Sequence, residues 1–219
     1  MNPQWTYAPN LLDATLNQEG ALVFIQPRPH YCDRGHFSLG FQSVRFHADP
    51  VTGRAVEPSL YHHDADVAVS EGALWAQWLV GKQNVSVDEE SLPTSDRMTW
   101  GRTYIKDENE VPCVVFKGIL NGQTPLAVIS ERMVDEVRIW SLDVEGVPDL
   151  DEADVFPRHF LRLEHAALEA ESFFKWRLLK QPTVGRRLED FKGQTLPVEP
   201  IDVLEQASMP SSGSPKPKK

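Results

Sequence analysis

Cysteine is scarce in this chain: Cys32 and Cys113 are its two thiols in 219 residues. A pair so far apart, in a chain long enough to bury its own core, is not the dense disulfide framework of a small secreted scaffold. Both read as free thiols of a reducing compartment. Long apolar runs are missing too. The longest, around Leu22–Ile25 and Val114–Phe116, fall far short of the ~20 residues that a bilayer-spanning helix needs. The first twenty residues hold Asp13 and Glu19 but no Lys or Arg, and no apolar stretch of the kind a secretory signal requires. The cytoplasm is the expected location. Positive charge is also short, since 22 Lys+Arg against 32 Asp+Glu leave a net charge of −10. A duplex-binding protein usually shows the opposite balance, so neither nucleic acid nor a membrane is expected as a direct partner.

The signatures of several common chemistries are absent as well. There is no Gly-x-x-x-x-Gly-Lys-Ser/Thr loop, no Gly-x-Gly-x-x-Gly after a strand, no His-Glu-x-x-His and no Gly-x-Ser-x-Gly elbow. Nucleotide, dinucleotide, zincin and α/β-hydrolase chemistries are thereby disfavoured. With 41% hydrophobic and 25% charged residues, the composition is that of an ordinary globular domain.

Apolar periodicity supplies the elements. Ala21 to Gln26 reads as a buried strand, and from His36 strict alternation places Phe37, Leu39 and Phe41 on one face, which is the period of a strand. After Ser43 the apolar parity shifts to Val44 and Phe46, as a β-bulge would shift it. Tyr61 to Val69 alternates again, and Ser70 then stands as N-cap of a short helix carrying Leu74, Trp75, Trp78 and Leu79, ended by Gly81. Four β-rich runs follow, Thr99 to Ile105, Val111 to Ile119, Thr124 to Ser130 and Glu136 to Val144, with Asn121-Gly122 offering a type I′ hairpin turn.

From Pro157 the spacing of Phe160, Leu163, Ala167, Ala170, Phe174 and Leu178 predicts a long amphipathic helix. The fold class expected is therefore α+β, a mostly antiparallel sheet of hairpins packed by this C-terminal helix and the short one. One domain over 1–181 is expected, then a Pro-rich extension over 182–219. Its composition becomes Ser, Pro, Gly and Lys from about residue 208, which predicts disorder there. No stretch of the sequence repeats another.

Three constellations bear on chemistry. On a strand, His62, Asp64 and Asp66 share one face, and one imidazole with two carboxylates suits a divalent metal with open positions; the plainer reading is the polar face of an edge strand. Cys32 lies between His30 and His36 and beside Arg34, neighbours able to lower a thiol pKa, but Asp33-Arg34-Gly35 equally makes a polar turn, and His47 with Asp49 reads the same way. The third is a charge contrast. Asp143, Glu145, Asp149, Asp151, Glu152 and Asp154 form a run without a base, while Arg158, Arg162, His165 and Glu169 fall on one polar face of the expected helix. The acids and Arg158, Arg162 and His165 are the candidate contact surface, a solvated face being the alternative.

The function expected from these residues is that of a small acidic accessory protein acting through a protein–protein surface. It would inhibit or modulate another protein that offers a basic surface, with no cofactor. The alternative is a metal-dependent hydrolase or oxygenase built on His62, Asp64 and Asp66 with a divalent metal ion.

Overall fold

Burial alternates along the strands, and the pairing register stacks the buried positions into rows. The computed structural model describes residues 3–16, 20–28, 35–46, 53, 55–81, 92, 97–106, 112–120, 126–134, 137–147, 150, 156–181 and 186–196. The first sheet runs in chain order through β1 (Thr6–Ala8), β2 (Leu11–Thr15), β3 (Leu22–Pro27), β4 (Phe37–Gln42) and β5 (Tyr61–His62), each antiparallel to the next. Leu12 pairs with Ile25 and Ile25 with Leu39, so three buried side chains line up across the sheet. Helix α1 (Ala65–Gly81) brings Ala65, Ala68, Val69, Ala73 and Ala76 into this cluster. Such small side chains let a helix backbone lie close to a sheet.

The second half repeats the order. Strands β6 (Met98–Lys106), β7 (Pro112–Leu120), β8 (Leu126–Val134), β9 (Val137–Glu145) and β10 (Arg158–Phe160) form a second antiparallel meander, followed by helix α2 (Leu163–Arg177). Phe116, Ile129 and Leu142 make its cross-strand row and join Ala166, Ala170, Phe173 and Phe174 of α2 in one buried cluster. A third cluster ties the halves together. In it Leu74, Trp75 and Trp78 of α1 meet Val134, Val137, Ile139 and Leu161. Helix α1 is therefore covered on two sides, which is why apolar residues surround it.

The described residues thus make an α+β protein of two antiparallel sheets and two helices, and the sheets share a plan that similarity of sequence does not betray. In each half a five-stranded meander leads through a two-residue link into a helix. A constant spacing of 98 residues pairs Ala65 with Leu163, Ala68 with Ala166, Glu71 with Glu169 and Trp78 with Trp176. The absence of a sequence repeat is thereby corrected at the level of architecture: three identities along one helix are too few to register as a repeat.

Several expected boundaries move. The strand expected from Tyr61 to Val69 stops at His62, because Asp64 ends it: its Oδ1 accepts the backbone N–H groups of Asp66 (2.7 Å) and Val67 (3.3 Å). Asp64, and not Ser70, caps α1. Asp64→Ala is expected to destabilise the protein by about 1 kcal/mol, read as a lowered urea midpoint at unchanged slope. No bulge follows Ser43. That residue has a left-handed φ of 57° and takes the chain out of the sheet. Residues 158–160 are a strand beside β9 and not the first turn of a helix. Strands β1 and β2 escaped the sequence reading because three residues, and a run interrupted by Asp13, carry no clear alternation.

The extension expected after residue 181 is partly built into the core. Leu188 and Phe191, on a single 3-10 turn, and Leu196 are buried in the first cluster. Around Trp5 the chain is tied down by Trp5 N–H to the Gln194 carbonyl (3.0 Å) and Gly193 N–H to the Trp5 carbonyl (2.7 Å). The tail from 208, and the turn residues Asn121 and Gly122, lie outside the described residues, although β7 and β8 on either side of that turn pair as a hairpin requires. Among the described residues no helix is long and apolar enough to cross a membrane.

Candidate functional site

Each helix carries one fully buried glutamate at the equivalent place, Glu71 in α1 and Glu169 in α2. A buried carboxylate is costly unless it is paired and hydrogen-bonded, and both are served from the opposite half. The Leu161 N–H donates to Glu71 Oε2 (2.9 Å), and the His63 N–H donates to Glu169 (2.9 and 3.1 Å). Residues 63 and 161 occupy the same position, two before their helices begin. The halves therefore exchange an identical clamp.

Beyond that shared bond the two carboxylates differ. Glu71 takes the Trp75 indole N–H (2.9 Å) and the His165 ring (2.6 Å), and the arrangement is closed. Glu169 holds the His63 Nδ1 (2.8 Å) and the buried guanidinium of Arg158 (2.5 Å), with His62 Nδ1 at 3.7 Å. Burial pushes the Glu169 carboxyl up, but His62, His63 and the Arg158 charge outweigh it and hold the group well below the usual carboxylate range. Burial lowers His63 to about 4, against the pull of Glu169 and helped by Arg158 and His36. The ring is therefore neutral at pH 7. Arg158 Nη1, a donor, also lies 3.3 Å from Nδ1, but the Glu169 carboxylate, which accepts and does not donate, is nearer at 2.8 Å, so the single ring hydrogen is assigned to Nδ1 and the lone pair to Nε2. That Nε2 has no hydrogen-bond partner among the described residues.

His63, itself 0% exposed with its Nε2 buried, stands in the wall of a cavity of about 780 Å³. The rest of the wall, among the described residues, comes from six places: Tyr7 of β1 with Asn10 of the turn after it, Pro27 and Arg28 where β3 ends, His36 and Phe37 where β4 begins, Ala65 at the start of α1, Trp176, Lys180 and Gln181 at the end of α2, and residues 186–189. Gly35 makes this convergence possible. Its φ is +124°, and a Cβ there would lie 2.5 Å from the His62 carbonyl oxygen, so only glycine lets His36 N–H reach that carbonyl at 2.8 Å. The His63 ring packs against His36 (5.3 Å between centroids), Trp176 (5.3 Å) and Phe173 (5.4 Å). Burial also lowers His36, opposed by the Glu169 charge.

The lining is basic in an acidic molecule. Among the described residues Arg28, Lys180, Arg186 and Arg187 line it, with Glu189 as the one carboxylate. Arg186 is paired with Asp66 (2.5 Å) and Arg187 with Glu189 (3.4 Å). Arg28 lies over the Tyr61 ring at 4.5 Å, and its Nη1, buried, has no hydrogen-bond partner among the described residues. Lys180 follows α2 in a left-handed conformation, φ 53°, which for a side chain other than glycine costs roughly 1–2 kcal/mol. Strain of this kind often accompanies a binding role.

The residues singled out in the sequence fall elsewhere. His62 Nε2 lies 3.0 Å from the Ser59 carbonyl, Asp64 caps α1, and Asp66 pairs with Arg186. With the strand ended at His62 these three share no face, and among the described residues no group of three or more His, Cys, Asp or Glu is gathered for a metal. Burial raises the Asp64 carboxyl, against its two backbone hydrogen bonds. Asp143 and Glu145 are exposed on β9, while Asp149, Asp151, Glu152 and Asp154 lie outside the described residues, as do His30, Cys32, Asp33, Arg34, His47 and Asp49. The basic helical face is a correction. Arg158 and His165 are buried against Glu169 and Glu71, leaving only Arg162 exposed of the three contact candidates.

Compared with protein-family models, curated proteins and solved structures, the chain matches none. Its geometry is therefore the ground for a functional reading. Two signals in the sequence point toward the site: Glu71 and Glu169 each interrupt an apolar helical run, and a charge in such a place is seldom buried without a partner. Which partners, and that Arg28 and Lys180 meet across a cavity, no spacing discloses.

Proposed function

We propose that the protein binds a small organic anion in the cavity bounded by Arg28, His63, Trp176 and Lys180. The observation that carries this reading is the charge of the wall: among the described residues it holds four cations, two of them ion-paired, and one carboxylate, in a chain of net charge −10. A concave site lined by one sign of charge raises the local concentration of the opposite ion, and guanidinium is suited to carboxylate or phosphate. Trp176, Phe37 and Pro27 supply an apolar surface for the body of the ligand, in the usual manner of small-molecule sites. The cavity falls within the ~300–1,000 Å³ typical of such sites. This reading differs from the protein–protein role expected from the sequence: the ligand is a small anion and not a basic protein surface. The metal-dependent reading is not carried forward, because His62, Asp64 and Asp66 are each engaged separately.

The test is calorimetric titration with benzoate and phenyl phosphate against uncharged benzamide. Saturable one-site binding of an acid, weakened by salt and not shown by benzamide, is the expected result. Arg28→Ala or Lys180→Ala should each weaken it about tenfold or more, as the loss of one charge-assisted hydrogen bond does. Binding of benzamide as tight as that of the acids, or variants that leave affinity unchanged, would sink the proposal.

A further inference from the structure

We infer that the ligand of this cavity carries, besides its anionic group, a hydroxyl or N–H that donates to Nε2 of His63, so that the substrate class is a hydroxylated or aminated organic acid. This rests on the anion-binding reading above. The duplicated plan of the molecule supplies an internal control. Position 161 performs the same structural task as position 63, donating its backbone N–H to the buried glutamate of the opposite helix, yet it is a leucine. The clamp therefore needs no imidazole. Leu161 packs with Trp78 in a closed apolar cluster, whereas His63 packs with Trp176, the equivalent of Trp78, at the wall of an open cavity. Among the described residues the leucine thus lies in an apolar cluster, and the histidine, itself fully buried, lies against a cavity.

The ring is also oriented for a specific partner. Glu169 lies 2.8 Å from Nδ1, which places the hydrogen there and the lone pair on Nε2. Arg28 adds a buried, unbonded Nη1 donor at the same cavity. One acceptor and one cationic donor call for a ligand that donates at one point and accepts at another. An acid without a donor leaves Nε2 unbonded, and sites that read a hydroxyl discriminate strongly against the analogue lacking it.

The experiment compares mandelate with phenylacetate, and 3- and 4-hydroxybenzoate with benzoate, by calorimetry at pH 7 on the whole chain, together with the ¹⁵N resonance of His63 Nε2. The expected result is that a hydroxylated acid binds about tenfold or more tightly than its plain partner, that saturation shifts the Nε2 resonance, and that His63→Leu abolishes the preference while plain acids still bind. Equal affinity of every matched pair, or an Nε2 resonance unmoved at saturation, overturns the inference and leaves the anion site standing. A preference that survives His63→Leu does the same, because a water then serves Nε2. Failure of every acid to bind overturns both readings at once. If the leucine variant does not fold, the resonance of the unaltered protein decides.

Discussion

Glu169→Leu is expected to destabilise the protein by about 3–5 kcal/mol, the cost of leaving a buried charge without its partner. Arg158 is 3% exposed and its guanidinium rests on the Glu169 carboxylate. Removing the carboxylate strands that charge, and it takes the acceptor from the His63 backbone N–H and ring at the same time. Glu71→Leu should cost less, about 1–3 kcal/mol for the hydrogen bonds of Leu161, Trp75 and His165, since no arginine is left behind. Urea denaturation of the two variants checks the order. The double variant Glu169→Leu with Arg158→Met should recover much of the loss, because it removes both charges. A Glu169 variant no less stable than the Glu71 variant would mean that the Arg158 charge finds water or another partner.

Stability should rise with pH between about 4 and 6.5, by an amount of the order of 3 kcal/mol from His63 alone. The ring titrates near 4 when folded and near 6.5 when unfolded. Within that window the unfolded chain holds a proton that the native state does not, so stability grows as pH increases and levels off above it. The titratable and charged groups acting on the ring are Glu169 of α2, Arg158 of β10 and His36, just before β4. His36 is lowered as well and acts in the same direction. Glu169 is held below the carboxylate range, so its contribution is present above the ordinary glutamate pKa and lost as acid protonates it. Denaturation midpoints followed across this window check the slope, and His63→Leu should flatten its His63 part. A slope unchanged in that variant would assign the titration to His36 or to other groups.

Much of the second half was legible in the sequence. The runs at 99–105, 111–119, 124–130 and 136–144 lie within about two residues of β6 to β9 at most ends, because each alternates cleanly with one face buried and is punctuated by turn residues. The α+β class follows from those strands and the two apolar helical segments. The start of α1 was not legible. In 61–69 period two and a helical stripe fit almost equally well, and the Asp64 cap decides between them through backbone hydrogen bonds that periodicity does not report. Nor was the face of α2. His165 and Glu169, like Arg158 on the strand before them, look like solvent residues by type, and partners 94 to 106 positions away, such as Glu71 and His63, together with the Arg158–Glu169 pair, make their burial tolerable.

The sequence by itself determined the strand and helix inventory of the second half, the acidic balance, and the lack of the common catalytic templates, all of which depend on residues near one another in the chain. Tertiary structure alone decided that two meander-and-helix units meet through exchanged glutamates, that Leu161 lies in a buried apolar cluster while its equivalent His63 lies against a cavity, and that Arg28, Lys180, Arg186 and Arg187 meet around that cavity. The physical reason is range. Hydrophobic periodicity is a local property, whereas a buried charge and a binding site are satisfied by groups that the chain brings together only when both sheets and both helices are in place.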